Sequence, residues 1–108
     1  YEQTCEQINI DQEVLVEAFL LLQNYPNPFN PVTQIAFTLR ENGHFSLRIF
    51  DIKGNLVKKL KMGQGKAGDQ VVTWDSTDET GQKVSSGIYF YQLKTEKRSK
   101  SNRMLLLK

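Results

Sequence analysis

Three carboxylates close together, Asp75, Asp78 and Glu79, followed by Gly81, make the one acidic loop in this sequence with the chemistry of a cation site. Calcium loops bring oxygen ligands together at tight spacing. The spacing here is D-x-x-D-E-x-G rather than D-x-D-x-D-G. The loop is therefore a calcium candidate with a competing structural reading, in which aspartate side chains cap turns. His44 is the only histidine and directly follows Asn42-Gly43, with no cysteine or second histidine nearby, so it reads as an exposed turn residue. No serine stands in a nucleophile elbow. Ser85-Ser86-Gly87 reads instead as a turn before a strand. No glycine-rich loop follows a strand and opens a helix, so nucleotide binding has no support. Nothing here can run a reaction: the chain reads as non-enzymatic, with no catalytic residues and no cofactor.

Two binding chemistries remain. Trp74, Tyr89, Phe90 and Tyr91 could form a stacking platform for a glycan or a nucleic acid. Alternation buries at least one face of such a strand, which favours a core role, and no nucleic-acid partner is expected. The C-terminal segment Lys97–Lys108 is basic. Residues 94–108 carry six cationic side chains against Glu96, whereas residues 1–24 carry five acidic ones and no basic one. Solvated faces, or two ends that attract each other, account for this as well as a functional tail does.

One hundred and eight residues suit a single domain with a core that needs no staples. Cys5, the only cysteine, allows no intrachain disulfide and reads as a linker thiol. No stretch approaches the roughly 18 apolar residues that a spanning helix needs. Neither a signal peptide nor an initiating methionine stands at the start, so the chain is expected to be part of a longer protein.

Seven short strands are expected. They are VLVEAFLLL (14–22), QIAFTL (34–39), FSLRIF (45–50), NLVKKLKM (55–62, an edge discouraged from pairing by its lysines), DQVVTWD (69–75), IYFYQLKT (88–95, central) and RMLLLK (103–108). Asn42-Gly43 between two alternating runs predicts a hairpin. Asp51-Ile52-Lys53-Gly54 predicts a turn with a left-handed glycine. Gly63, Gly65 and Gly68 are expected to break the chain. Many short strands without helical period imply an all-β, antiparallel β-sandwich of about seven strands, with Trp74 between the sheets.

All three prolines lie in QNYPNPFNP, residues 23–31. Proline removes a donor and pushes its predecessor out of helical geometry, and asparagine bonds its own backbone in turns. The segment is expected to be a rigid crossing between the first two strands, pinned by Tyr25 and Phe29. A proline-rich ligand role is the lesser alternative.

NYPNPFNPVTQIAFTL (24–39) closely resembles the opening of type A C-terminal sorting domains of the type IX (Por) secretion system. LRIFDIKGNLV (47–57), AGDQVVTWDSTDETGQKVSSGIYFYQLKT (67–95) and the ending RMLLLK continue the resemblance in order over about residues 19–108. The motif positions are Tyr25, Pro26, Asn27, Pro28, Phe29, Asn30, Pro31, Trp74, Asp75, Gly87 and Tyr89. The same pattern resembles the Ig-like module of flagellar hook-cap proteins. Two positions depart from it: Asp75-Ser76 replaces the usual Asp-Gly, and Leu20-Leu21-Leu22 is more apolar than usual.

The resemblance implies an Ig-like sandwich over residues 19–108, following a linker or cargo tail at 1–18. It implies a non-catalytic export signal on a cargo domain in the same chain. An outer-membrane translocon would recognise it and a surface sortase would remove it, on a protein that passes through the periplasm and ends secreted or on the cell surface. Arg103, Met104, Leu105, Leu106, Leu107 and Lys108 are the recognition candidates, through side chains at alternate positions and backbone groups offered by the terminal strand. The alternative is a permanent Ig-like accessory module, acting as spacer, assembly unit or glycan binder.

Overall fold

Alternation decides the architecture. In a computed structural model that describes residues 19–107, seven strands form two antiparallel sheets and no helix. They are β1 Phe19–Leu21, β2 Thr33–Leu39, β3 Gly43–Asp51, β4 Leu56–Gly65, β5 Gly68–Trp74, β6 Gly87–Thr95 and β7 Ser99–Leu106. One sheet has the order β1-β2-β5, the other β4-β3-β6-β7. The chain is thus an all-β, Ig-like sandwich, as its patterning implies. Residues 14–18 of the first apolar run, Cys5, the 1–18 linker and Lys108 lie outside the described residues.

Side chains two apart share a face. Ile35, Phe37 and Leu39 from β2 therefore meet Phe45, Leu47 and Ile49 from β3 across the core, and all six are buried. The Phe37 and Phe45 rings sit 5.6 Å apart, tilted by 50°. Tyr91, Leu93, Met104 and Leu106 complete that layer from β6 and β7.

This meeting overturns the hairpin expected at Asn42-Gly43. β2 pairs with β1 and β5, while β3 pairs with β4 and β6, so residues 40–42 carry the chain from one sheet to the other. A hairpin would have put both apolar rows in one sheet and left each without a facing layer. The Asn42 side chain instead accepts a hydrogen bond from the Ala67 amide (2.8 Å), bracing the crossing against the second crossing, between β4 and β5.

Of the three glycines expected to break the chain, Gly63 lies within β4, whereas β4 ends at Gly65 and β5 starts at Gly68. Gly65 is required by packing, since a Cβ there would lie 2.7 Å from the Leu39 side chain and 2.8 Å from the Phe45 ring. The turn at Asp51–Gly54 forms as its residues dictate. Gly54 has φ +89° and donates to the Asp51 carbonyl, and Asp51 Oδ1 accepts from the Lys53 and Asn55 amides, both at 2.9 Å.

The last strand, expected over 103–108, begins earlier and takes in part of the charged tract. β7 starts at Ser99, after a tight turn in which Thr95 N donates to the Arg98 carbonyl (2.8 Å). Its full ladder with β6, from Lys94↔Ser99 to Gly87↔Leu106, overrides the polar composition, which an edge strand tolerates.

Candidate functional site

Two of the stretches singled out in the sequence, the proline segment and the C-terminal strand β7, meet in one junction. Phe29 sits at the centre of that junction. Its amide donates to the Leu105 carbonyl (3.0 Å) and its carbonyl accepts from the Leu107 amide (2.9 Å), so it forms a parallel bridge to β7. Two side-chain amides extend the contact. Asn27 Oδ1 accepts from the Leu105 amide (3.0 Å), and Gln23 Nε2 donates to the Arg103 carbonyl (2.8 Å). Proline has no N–H to contribute, and polar side chains replace part of the ladder that a regular strand would form.

This arrangement revises the expected recognition mode. Between Arg103 and Leu107 the outward backbone groups of β7 are already bonded within the domain, so that stretch does not offer a bare edge. What it presents is side chains: Arg103 exposed, Leu105 half-buried and Leu107 49% exposed. Met104 and Leu106 point inward and are buried completely. The six C-terminal candidates thus divide into two inward core residues, three outward ones and Lys108 beyond the described residues.

The two aromatic pins also part company. Phe29 is buried against Trp74, with ring centroids 5.8 Å apart, whereas Tyr25 is 80% exposed. Tyr25 is held through its backbone instead, exchanging hydrogen bonds of 3.0 and 2.9 Å with Gln34, which leaves its ring outside the sandwich. All three X-Pro bonds of the segment are cis.

The inner side of the segment hangs on the Tyr91 hydroxyl. That hydroxyl donates to the Leu22 carbonyl (2.7 Å) and accepts from the Asn24 amide (2.8 Å) and the Asn102 side chain (3.1 Å). Burial raises the Tyr91 pKa, so the phenol keeps the proton it donates. Asn24, itself buried, donates through Nδ2 to Thr33 Oγ1 (2.9 Å) and to the Pro26 carbonyl (3.1 Å). Thr33 Oγ1 donates to the same carbonyl (2.9 Å). Asn24, Thr33 and Asn102 carry no chemical signature in the sequence, and Tyr91 stands out there only as a member of an aromatic strand. The only sequence signal for Thr33 and Asn102 is polar residues on the inward parity of strands, since Thr33 is in phase with Ile35 and Asn102 with Met104.

Trp74 occupies the other side of Phe29, with Tyr89 edge-on at 5.4 Å. Its indole donates to the Thr77 carbonyl (2.9 Å), and the Tyr89 hydroxyl donates to the Ser85 carbonyl (2.7 Å). Tyr89 and Tyr91 are buried, so they provide no exposed stacking platform. Gly87 opens β6 opposite Leu106 with φ +150°. At the Asp75-Ser76 departure, Ser76 has φ +67°, the left-handed geometry in which glycine costs least. Its buried hydroxyl donates to the Pro31 carbonyl, a bond glycine could not make.

The carboxylates of the acidic loop are engaged within the loop and with β4. Asp75 Oδ1 accepts from the Thr77 hydroxyl (2.5 Å) and amide (3.2 Å). Asp78 Oδ1 accepts from the Thr80 hydroxyl (2.7 Å) and amide (2.9 Å) and the Gln82 amide (3.1 Å), while Glu79 Oε2 takes the Lys59 amide (2.5 Å). The Thr77 hydroxyl lowers the Asp75 pKa most, and the Thr80 hydroxyl does the same for Asp78. Among the described residues no group of three His, Cys, Asp or Glu side chains is arranged to hold a metal ion. His44 is exposed at the start of β3. No helix among the described residues is long and apolar enough to cross a membrane.

A family model described as the FlgD Ig-like domain matches residues 29–99. No protein of curated function matches the chain in sequence. Among solved structures, dimeric latent PorU from Porphyromonas gingivalis superposes with a TM-score of 0.68 at 18% identity over 82% of this chain and 9% of that one. PorZ, an essential surface component of the type IX secretion system of the same bacterium, superposes at 0.57 with 26% identity, over 80% of this chain and 11% of that one. FlgD from P. aeruginosa gives 0.55 at 19% identity, over 82% of this chain and 64% of that one. The chain spans about a tenth of the PorU and PorZ chains it resembles.

Proposed function

The chain belongs to the FlgD Ig-like domain family, and from that premise we propose that it serves as a non-catalytic, type A C-terminal sorting domain read by a type IX outer-membrane translocon. The observation that carries the reading is the joining of the YPNPFNP segment to the terminal strand. Phe29 and Asn27 bond the outward amide and carbonyl of Leu105 and the amide of Leu107, so the two ends of the domain's signature form one structural unit. A signal built this way is legible only when the domain is folded to its end. The likeness to PorZ, a type IX component, supports the same setting. In this reading residues 19–108 are the signal and 1–18 the linker to an upstream cargo. A sortase at the surface removes the domain after export from the periplasm.

A fusion tests it. Residues 1–108 are placed behind a Sec leader and a fluorescent reporter in a bacterium with a working type IX system. The expected result is reporter at the surface or in the medium, against a periplasmic reporter without the domain. A folded fusion that stays periplasmic while a native cargo is exported would overturn the proposal.

The second reading is a permanent Ig-like accessory module, a spacer or assembly unit. It is favoured by the family match to a hook-cap Ig-like domain rather than to a sorting signal. The same fusion separates the two, because a permanent module remains attached to the mature protein.

A further inference from the structure

The outer face of the four-stranded sheet carries a row that crosses every strand. Leu56, Phe50, Phe90 and Arg103 stand opposite one another on β4, β3, β6 and β7. A second row contains Lys59, Arg48 and Gln92, and Ile88 pairs with Leu105 beside the first. Phe50, Phe90, Ile88 and Leu105 are only half-buried, and among the described residues no element packs over them. Two phenylalanines at the centre of a solvent-facing sheet are not explained by the core, which the opposite face of the same strands fills.

The ladder positions of this face carry charge of one sign, with the Glu79 carboxylate on the Lys59 amide at the outer edge of β4. Arg48, Lys59, Lys94 and Arg103 lie in ladder positions on the face, no carboxylate does, and none of the four forms an ion pair with a described residue. Arg48 is held in place, its guanidinium 5.5 Å from the Phe50 ring centre and bonded to Gln92 Oε1 (3.0 Å), while its buried Nε finds no acceptor. At the β7 end the face opens into a depression of about 260 Å³ lined by Asn27, Ile88, Arg103, Met104 and Leu105. It is apolar with a guanidinium at its rim.

We infer that this face is a docking surface for an acidic, extended polypeptide segment of another protein, which seats one apolar side chain in the depression beside Arg103 and sets carboxylates against Arg48 and Arg103. Charge complementarity selects the acidic partner. The discrete depression selects a polypeptide over a lipid surface, because it receives a single side chain, and alternate residues of an extended segment point the same way. The inference goes beyond the export reading. A translocon component or a stable assembly partner could equally supply the segment, so binding can hold where export fails.

The test uses the full 108-residue chain with isotope labels and short synthetic peptides. One alternates leucine and glutamate, one alternates leucine and lysine, and one carries the sequence of residues 1–18. Vesicles of phosphatidylglycerol serve as a fourth probe. The expected result is that the leucine–glutamate peptide shifts the resonances of Phe50, Phe90, Arg103 and Leu105. Arg103→Glu, an exposed change, should weaken that binding by about tenfold. Arg48→Gln provides a second variant, and both are checked for an unchanged unfolding transition. The inference is overturned by any of four outcomes: equal shifts from the leucine–lysine peptide, shifts confined to another face, binding to vesicles alone, or tight binding by the 1–18 peptide alone, which would make the occupant the chain's own segment.

Discussion

Three hydrogen bonds at the Tyr91 hydroxyl join β6 to the exit of β1, the start of the proline segment and β7. Tyr91→Phe keeps the ring in the core but leaves the Asn24 amide and the Asn102 side chain short of an acceptor, and the Leu22 carbonyl short of its best donor. Stranding buried polar groups costs about 1–3 kcal/mol. Urea unfolding should show a lower midpoint with an unchanged slope. A midpoint equal to that of the native chain would mean that the knot adds nothing. A second expectation at this scale concerns acid. Asp51 is held below the ordinary carboxylate value of 3.8 chiefly by the Asn55 amide, Asp75 by the Thr77 hydroxyl and Asp78 by the Thr80 hydroxyl. The unfolded chain therefore takes up protons first as pH falls. The contribution of these caps is complete at neutral pH and declines from about pH 5 downward, through 3.8 and below. Asp78→Asn should flatten the fall in melting temperature between pH 5 and pH 3, roughly the window in which the carboxylate protonates. Such caps were legible from the D-x-T and D-x-x-G spacing, whereas the Tyr91 knot was not, because its members lie up to 80 residues apart, as Leu22 and Asn102 do.

At the scale of elements, the strand parity was readable and the strand neighbours were not. Phe45, Leu47 and Ile49 declare a buried face whichever sheet they join, and Asn-Gly declares a reversal whether the chain folds back within a sheet or crosses to the other. Only the facing layer, seen in the Phe37–Phe45 contact, decides between these. The proline segment shows the same limit. Its stiffness follows from composition, but its docking on β7 is a long-range pairing with no local signal. Asn27 tests that docking, since its side chain is the acceptor for the Leu105 amide while the residue itself is exposed. Asn27→Ala should accelerate hydrogen exchange at Leu105 selectively and leave Leu107, bonded to the Phe29 carbonyl, protected. Phe29→Ala acts on both. It empties a buried site beside Trp74 at a cost of about 3–5 kcal/mol and should release both amides together. Uniform protection in both variants would show that the segment does not secure β7.

For the whole molecule, the sandwich closes by using its first described segment and its last strand on each other. A truncation that removes residues 102–108 therefore does not isolate a recognition signal. It deletes Met104 and Leu106, both fully buried, and unlatches the proline segment. Signal and fold can be separated only by changing outward side chains. The most direct measurement is the partition of the reporter fusion between periplasm and surface for three chains: native, Arg103→Glu combined with Leu107→Asp, and Lys53→Glu as an exposed change at the Asp51–Gly54 turn, remote from β7 in the ladder. The first two should have matching unfolding transitions. Export of the native and Lys53→Glu fusions, with the double variant retained in the periplasm, is the predicted result. Equal export of all three would contradict recognition through the outward side chains of β7, and retention of all three as folded proteins would contradict the sorting function itself.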